Sequence, residues 1–210
     1  SYLVIADGAM TTTTSTQPSP RHKAVARHAL KVFGGTPVVH AYRHDQIDTL
    51  SIDMLAVDDS PDDGLVSYST LGLFDLELRH DDGHPMATRV ELCAEMPEDL
   101  QSWANVLATA AFGLMRSGQA VMPGSVLPDC VAEYYPDATV PHLYLCVPFS
   151  WQDGEFPRCD ADGLLVNWLQ AVPISETERQ FIETAGPDAF EDELLEADPD
   201  IYDLSRPAVR

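Results

Sequence analysis

The sequence has few basic residues, no closely paired cysteines and no long apolar run. It contains 12 Lys and Arg residues against 34 Asp and Glu residues, which gives a formal net charge of −22. A field of that sign repels nucleic acid and anionic membranes. No stretch approaches the roughly 20 apolar residues that a bilayer-spanning helix needs. We therefore expect a cytoplasmic protein that binds neither nucleic acid nor membrane.

Signatures of catalysis and of metal binding are also missing. The cysteines are Cys93, Cys130, Cys146 and Cys159, with no C-x-x-C pair among them. This spacing fits neither a zinc finger nor a dense disulfide framework, so it favours reduced thiols. Neither a G-x-S-x-G elbow nor a phosphate-binding glycine loop is present. We expect no enzymatic activity, no cofactor and no metal ion.

Two weaker patterns have alternative interpretations. The H-x-x-x-H spacings at His40 and His44 and at His80 and His84 fall in extended or turn-like segments, where the pair does not face a single ion as it would on a helix. Glu91 and Glu95 alternate along one strand face, which suits glycosidase chemistry. Solvated carboxylates on a sheet face are commoner, and we interpret the pair in that way. An unrecognised hydrolase is the remote alternative.

The negative charge is unevenly distributed. Residues 1–47 carry a net charge of +3, whereas residues 48–210 carry −25. Such an excess either serves solubility or forms an acidic surface that attracts a cationic partner. The sequence leaves both interpretations open.

One domain is the expectation for a chain of this length. Residues 1–19 are predicted to be a disordered arm, because residues 10–19 are mostly Thr, Ser and Pro. Residues 1–9 are either native or were added ahead of a natural initiator at Met10. Residues 20–210 are predicted to form the single domain.

The first half of this domain mixes a helix with strands. Ser19 and Pro20 are typical of a helix start, and Gly34 ends the predicted helix after Phe33. Alternating apolar residues predict strands within residues 48–56 and 88–96, each with one wet face. A further strand is predicted at residues 65–70, and it is expected to form a hairpin with the strand before it.

The second half of the domain adds helices. Pro97 and the two acids after it predict a helix that runs to Arg116, with Trp103 on its buried stripe. Strands are predicted at residues 142–149 and 164–172, the second covered on both faces. Ser175 to Glu178 form a capping-box pattern. A last helix, residues 188–197, is predicted to bury Phe190, Leu194 and Leu195 and to expose its acids.

Several of these segments together resemble the suppressor-of-fused domain family. The resemblance rests on YSTLGLFDLEL at residues 68–78, RVEL at residues 89–92, the helix that holds Trp103, and NWLQAVPISETERQFIETAGPDAFEDELLE at residues 167–196. DLSRPAV near the end matches the closing pattern of bacterial members. The resemblance covers about residues 37–209. It implies an α+β fold with a mixed, largely antiparallel β-sheet flanked by helices.

The resemblance also implies a function. The family has no known enzymatic activity. Its eukaryotic members bind a transcription-factor peptide between this domain and a second one, and we expect no counterpart of the second domain in these 210 residues. Some bacterial members look like immunity proteins that neutralise polymorphic toxins. We expect a non-enzymatic protein-binding module with a basic partner, a toxin or a peptide segment. The alternative is an adaptor that binds a peptide at an open sheet edge.

The candidate contact residues follow from the resemblance and from the charge. Tyr68 and Asp75 match the aromatic and carboxylate positions of the family motif, whereas Asp81 and Asp82 match its later acidic stretch loosely. The predicted last helix adds further acids. The full predicted partner-binding set is Tyr68, Asp75, Asp81, Asp82, Glu191, Asp192 and Glu193.

Overall fold

A β-sheet runs through the centre of the computed structural model, which describes residues 4–6, 18–151, 154 and 156–209. Its strands are β1 (Val4–Ala6), β2 (Pro37–His44), β3 (Ser51–Asp58), β4 (Leu65–Leu71), β5 (Arg89–Pro97), β6 (Val126–Leu127), β7 (His142–Cys146), β8 (Cys159–Ala161) and β9 (Leu164–Ile174). Their spatial order is β1-β2-β3-β4-β5-β9-β7-β6, and β8 pairs with β9. Among these pairs β5 and β9 are parallel, and the others are antiparallel.

Four helices cover the two faces of this sheet. They are α1 (Pro20–Phe33), α2 (Trp103–Ser117), α3 (Glu176–Ala185) and α4 (Pro187–Ala197). The apolar side of α2 packs with one sheet face, and α1 packs with the other. On the same sheet face as α1, the helices α3 and α4 cover the end of the sheet that β7 and β9 form, with Phe190 at the centre of that contact. The predicted mixed sheet flanked by helices is confirmed.

Local signals explain where two of the helices begin. The Ser19 hydroxyl accepts a hydrogen bond from the His22 backbone N–H and so caps α1. At α3, Ser175 accepts from the Glu178 N–H while the Glu178 side chain accepts from the Ser175 N–H, which completes the predicted capping box. These helix boundaries and the β3–β4 hairpin agree with the sequence prediction.

Other elements differ from their predictions. The helix that was expected to open at Pro97 begins at Trp103, because residues 98–102 form turns with Ser102 as N-cap. The prediction of one wet face for β5 is wrong, since helices cover both sides of the sheet and seven consecutive residues of β5 are buried. β1 pairs with β2 where the sequence predicts a disordered arm. The rest of that arm before Pro18 lies outside the described residues.

Candidate binding surface

The YSTLGLFD motif is built around a tight turn held by a buried carboxylate. Gly72 has a φ of 114°, a left-handed conformation that favours glycine. The turn brings two backbone N–H groups, those of Gly72 and Phe74, to Glu91 Oε1 at 2.7 Å and 3.2 Å. Glu91 Oε2 shares a short hydrogen bond with the Thr70 hydroxyl. Glu91 therefore anchors the motif from the neighbouring strand.

The surroundings of Glu91 favour its neutral form. Its side chain is fully buried, and burial raises its pKa to about 8 despite the hydrogen bonds it accepts. In the neutral form Oε2 can donate to Thr70, whose own hydroxyl then reaches the Leu92 carbonyl oxygen at 3.3 Å. The interpretation of Glu91 as a solvated carboxylate is therefore wrong.

Glu95 is buried in a second polar network. Its oxygens accept from Gln170 Nε2 at 3.0 and 3.1 Å, from Tyr202 Oη at 3.3 Å and from the Ser150 hydroxyl. Burial raises the pKa of Glu95 to about 7. The expectation of a solvated side chain is wrong here too, because α1 and the chain after β7 cover this face of β5. Glu95 joins β5 to β9 and to the C-terminal segment.

A buried ion pair holds the closing DLSRPAV segment. Arg206 Nη1 donates to Glu178 Oε1 at 2.7 Å, and both side chains are at most 2% exposed. Glu178 also accepts from the Val209 N–H at 3.0 Å. Burial alone would raise the pKa of Glu178, but the Arg206 and backbone hydrogen bonds lower it overall. The segment therefore fastens the chain end to α3.

The predicted contact residues at the motif have different surroundings. Tyr68 is 7% exposed, and burial raises its pKa to about 12. Asp75 is exposed, and its Oδ2 lies 2.9 Å from His22 Nε2 of α1. Asp81 and Asp82 lie in an exposed turn, where Asp81 accepts from the Gln119 amide and Asp82 accepts from the His84 N–H at 3.0 Å. The His84 hydrogen bonds lower the pKa of Asp82.

The α4 acids form a separate group at the β7 end of the sheet. Asp192 is exposed, whereas Glu191 and Glu193 are half-buried. Glu191 Oε1 accepts a 2.7 Å hydrogen bond from the Tyr144 hydroxyl of β7. Burial and the Glu191 carboxylate raise the pKa of Tyr144, so the phenol keeps its proton. The structure thus divides the predicted set between the motif with the turn that follows it and the helix α4.

Beside the α4 acids lies a groove that the sequence did not predict. It has a volume of about 490 Å³ and runs between α4 and the chain that follows β7. Its walls are Pro123, Tyr144, Cys146, Val147, Phe149, Val172, Pro187, Asp188, Glu191, Leu194, Leu195, Asp198, Pro199 and Ile201. Leu195 was predicted to be buried, but it is 79% exposed at this groove because α4 turns its Phe190 side toward the sheet.

The thiols do not resemble nucleophiles. All four cysteines are free and buried. Burial raises the pKa of Cys93 well above its usual range and that of Cys146 to about 12, which disfavours the reactive thiolate. No helix in the described part of the chain is both long and apolar enough to cross a membrane.

The family model for "Suppressor of fused protein (SUFU)" matches residues 43–207. The chain belongs to the suppressor of fused family. Among characterised relatives, it is 36% identical over 189 residues to the immunity protein YqcF of Bacillus subtilis, an alignment that covers 90% of this chain and 96% of YqcF. The family predicted from the motifs is therefore confirmed, and a bacterial SUFU relative carries the name of an immunity protein.

Solved structures of SUFU proteins share the fold. A SUFU homologue from Neisseria gonorrhoeae superposes with a TM-score of 0.65 at 18% identity, covering 90% of this chain and 97% of that one. A chain of the Sufu–Fu complex crystal structure gives a TM-score of 0.64 at 15% identity, covering 92% of this chain and 93% of that one. Drosophila Suppressor of Fused gives 0.62 at 17% identity, covering 91% of this chain and 52% of the fly protein.

Proposed function

We propose that this SUFU-family chain is a non-enzymatic immunity protein that neutralises a basic protein toxin by direct binding. The observation that carries the proposal is the 36% identity to an immunity protein over nearly the whole of both chains. Neutralisation by binding needs a surface, not a catalytic group. Protein-binding surfaces can be supplied by charge, by shape or by both.

The charge of this chain supports a basic partner. Residues 48–210 carry a net −25, and Asp81, Asp82 and Asp192 present carboxylates to solvent on two parts of the surface. Such a field accelerates encounter with a cationic protein and fixes its orientation. Toxins that cut nucleic acid commonly carry basic surfaces because they grip phosphate. An acidic protein that occupies such a surface would block the toxin.

Charge reversal on α4 tests the proposal. The partner assayed is the protein encoded by the reading frame next to this gene, co-expressed with each variant in cells that its activity kills. We expect Glu191→Lys with Asp192→Lys and Glu193→Lys to weaken the complex about 100-fold or more and to abolish protection, since each lost charge contact costs affinity. Full protection by the triple variant, or a neighbour that is harmless and does not bind, would contradict the proposal.

A matched pair of single variants separates local contact from net charge. Asp192→Lys and Asp48→Lys change the net charge equally, and both residues are exposed. Asp48 lies in the β2–β3 connection, four strands away from β7 across the sheet. The proposal expects Asp192→Lys to weaken binding more than Asp48→Lys. Equal losses would indicate a general field without an α4 contact.

A second candidate function is favoured by one feature of the sheet edge. Among the described residues, nothing pairs with the outer side of β2 at residues 37–41, since β1 pairs only with Tyr42, Arg43 and His44. Val38 and Val39 are 47% and 50% exposed there. An adaptor could add a partner strand along such an edge. Loss of binding with Val38→Lys, together with full binding by the α4 triple variant, would select this function.

A further inference from the structure

The exposed apolar side chains of this protein are concentrated around one groove. Among the described residues, seven large apolar side chains are exposed. Val147, Phe149 and Leu195 line the groove beside α4, at 63%, 48% and 79% exposure. Met122 precedes the lining residue Pro123 and is 50% exposed. An apolar cluster of this kind around a concave surface is typical of an interaction site.

The charged lining of the groove has one sign. Asp188, Glu191 and Asp198 contribute to its walls, and none of the lining residues that the structure describes is Lys, Arg or His. Glu191 is held in place by the Tyr144 hydroxyl from the groove wall. An apolar floor beside carboxylates complements an apolar side chain with cationic neighbours.

The wall that carries Phe149 is fixed from beneath. The Phe149 N–H donates to Gln170 Oε1 at 2.9 Å, and Gln170 Nε2 donates to the Ser150 hydroxyl at 2.8 Å and to Glu95. Gln170 is 1% exposed on β9. The groove is therefore formed before any partner binds, which lowers the entropy cost of binding. Gln170 and Glu95 act as positioning residues for this wall.

We propose that this groove binds one large apolar side chain of the basic partner, flanked in the partner by Lys or Arg side chains that pair with Asp188, Glu191 and Asp198. The proposal rests on the proposed function for the partner's charge and adds the anchor and its location. A buried aromatic or aliphatic anchor typically dominates the affinity of an interface, and a polar rim supplies orientation. A volume of about 490 Å³ accommodates such an anchor.

Three synthetic peptides test the groove without the toxin. The first has a central Trp between Lys and Arg pairs, in the order Gly-Lys-Arg-Gly-Trp-Gly-Lys-Arg-Gly. The second replaces Trp by Ala, and the third replaces each Lys and Arg by Glu. Titrated into the isotope-labelled full chain and followed by NMR, the first peptide should bind at least about tenfold more tightly than either of the others. Its shift changes should centre on Val147, Phe149 and Leu195.

Exposed-residue variants localise the anchor. Leu195→Ser and Val147→Ser should each weaken the Trp peptide about tenfold while leaving the fold intact, because both side chains are largely exposed. Val38→Ser is the matched control, since it removes an exposed apolar side chain from β2 at the far end of the sheet. We expect no change in peptide affinity for that control.

Several outcomes would overturn the groove proposal. These are equal affinities for the Trp and Ala peptides, shift changes centred on β2, or NOE contacts that show the groove filled by residues 7–17 or by a second copy.

These outcomes are distinguishable from failure of the proposed function. A groove that selects the Trp peptide in a chain that gives no protection would overturn the immunity role alone; protection by a chain with no peptide preference would overturn the groove alone.

Discussion

Glu91 and Glu95 on β5 and Glu178 on α3 have the same carboxylate chemistry as Asp192 and Glu196 on α4, but the first three are buried and the last two face solvent. Glu91, Glu95 and Glu178 are at most 3% exposed, and each makes three or more hydrogen bonds to other groups of the protein. Asp192 and Glu196 on α4 are exposed. In a chain with 34 acids, the charge of a residue therefore does not indicate whether it holds the fold or faces a partner. The position of the residue relative to the two helical layers on the sheet decides which of these roles it has.

The buried acids themselves divide into two kinds. Burial raises the pKa of Glu91 and Glu95, whose partners are hydroxyl, amide and backbone groups. The pKa of Glu178 is lowered instead, because Arg206 and backbone donors outweigh the effect of burial. Glu91 and Glu95 therefore stabilise the fold best when they are neutral, and Glu178 does so when it is ionised.

The largest effect should come from breaking the buried ion pair. Arg206→Ala leaves Glu178 buried without its cation, and we expect the free energy of unfolding to fall by about 3–5 kcal/mol. Urea denaturation measures it. The control is Arg179→Ala on the exposed side of α3, which removes pairs with the surface acids Glu176 and Glu183 and should lower the free energy of unfolding far less, because solvent screens exposed ion pairs. Similar losses for both variants would remove the distinction between buried and surface acids.

The next effect should appear in the pH dependence of stability. Folding raises the pKa of Glu91 from 4.5 to about 8, so in this window the folded state binds more protons than the unfolded state. As far as Glu91 is concerned, the stability should therefore be at its full value below about pH 4.5 and should fall by at most about 1.4 kcal/mol per pH unit as the pH rises from there toward 8. Glu91→Gln should flatten this slope in denaturation curves, because the amide keeps the Gly72 and Thr70 contacts.

Glu196→Gln is the control for the pH experiment, since Glu196 is exposed on α4. We expect its slope to match that of the unmodified protein. A Glu91→Gln variant that keeps the full slope would show that Glu91 is ionised in the folded protein across this range, which contradicts the account of the motif turn.

The smallest effect on stability should come from the exposed acids. Asp192→Lys is expected to change the free energy of unfolding by at most about 0.5 kcal/mol, because the side chain is exposed. The thermal unfolding midpoint measures this. A large loss would show that Asp192 supports the fold, and its effect on partner binding would then no longer report a contact.

Local signals made much of the fold predictable. Ser19 with Gly34, and Ser175 with Glu178, mark helix ends through backbone hydrogen bonds that neighbouring residues supply. The burial of Glu91 and Glu95 was not predictable from alternation, because a period of two does not distinguish a wet face from one covered by a distant helix. Whether a strand face is solvated or buried depends on the helices that cover the sheet.

The acids of the candidate site were predictable from the sequence, whereas the groove beside them was not. The acids of α4 form a contiguous run in the sequence, so a charged helix face could be inferred. The groove is assembled from residues 123, 144–149, 172 and 187–201, which are far apart along the chain. The apolar run at residues 147–149 was assigned to a strand, whereas β7 ends at Cys146 and leaves Val147 and Phe149 at the groove. An apolar residue among the acids of α4, Leu195, is the signal in the sequence that could have indicated it.

The central claim is that the exposed acids bind a basic partner while the buried acids hold the fold. The most direct test is the salt dependence of the dissociation constant for the complex with the neighbouring gene product. We predict that affinity falls at least about tenfold between about 50 mM and about 500 mM salt. The ratio of the dissociation constants of Asp192→Lys and the unmodified protein should also become smaller over this range. A dissociation constant that is unchanged across this range would contradict the claim.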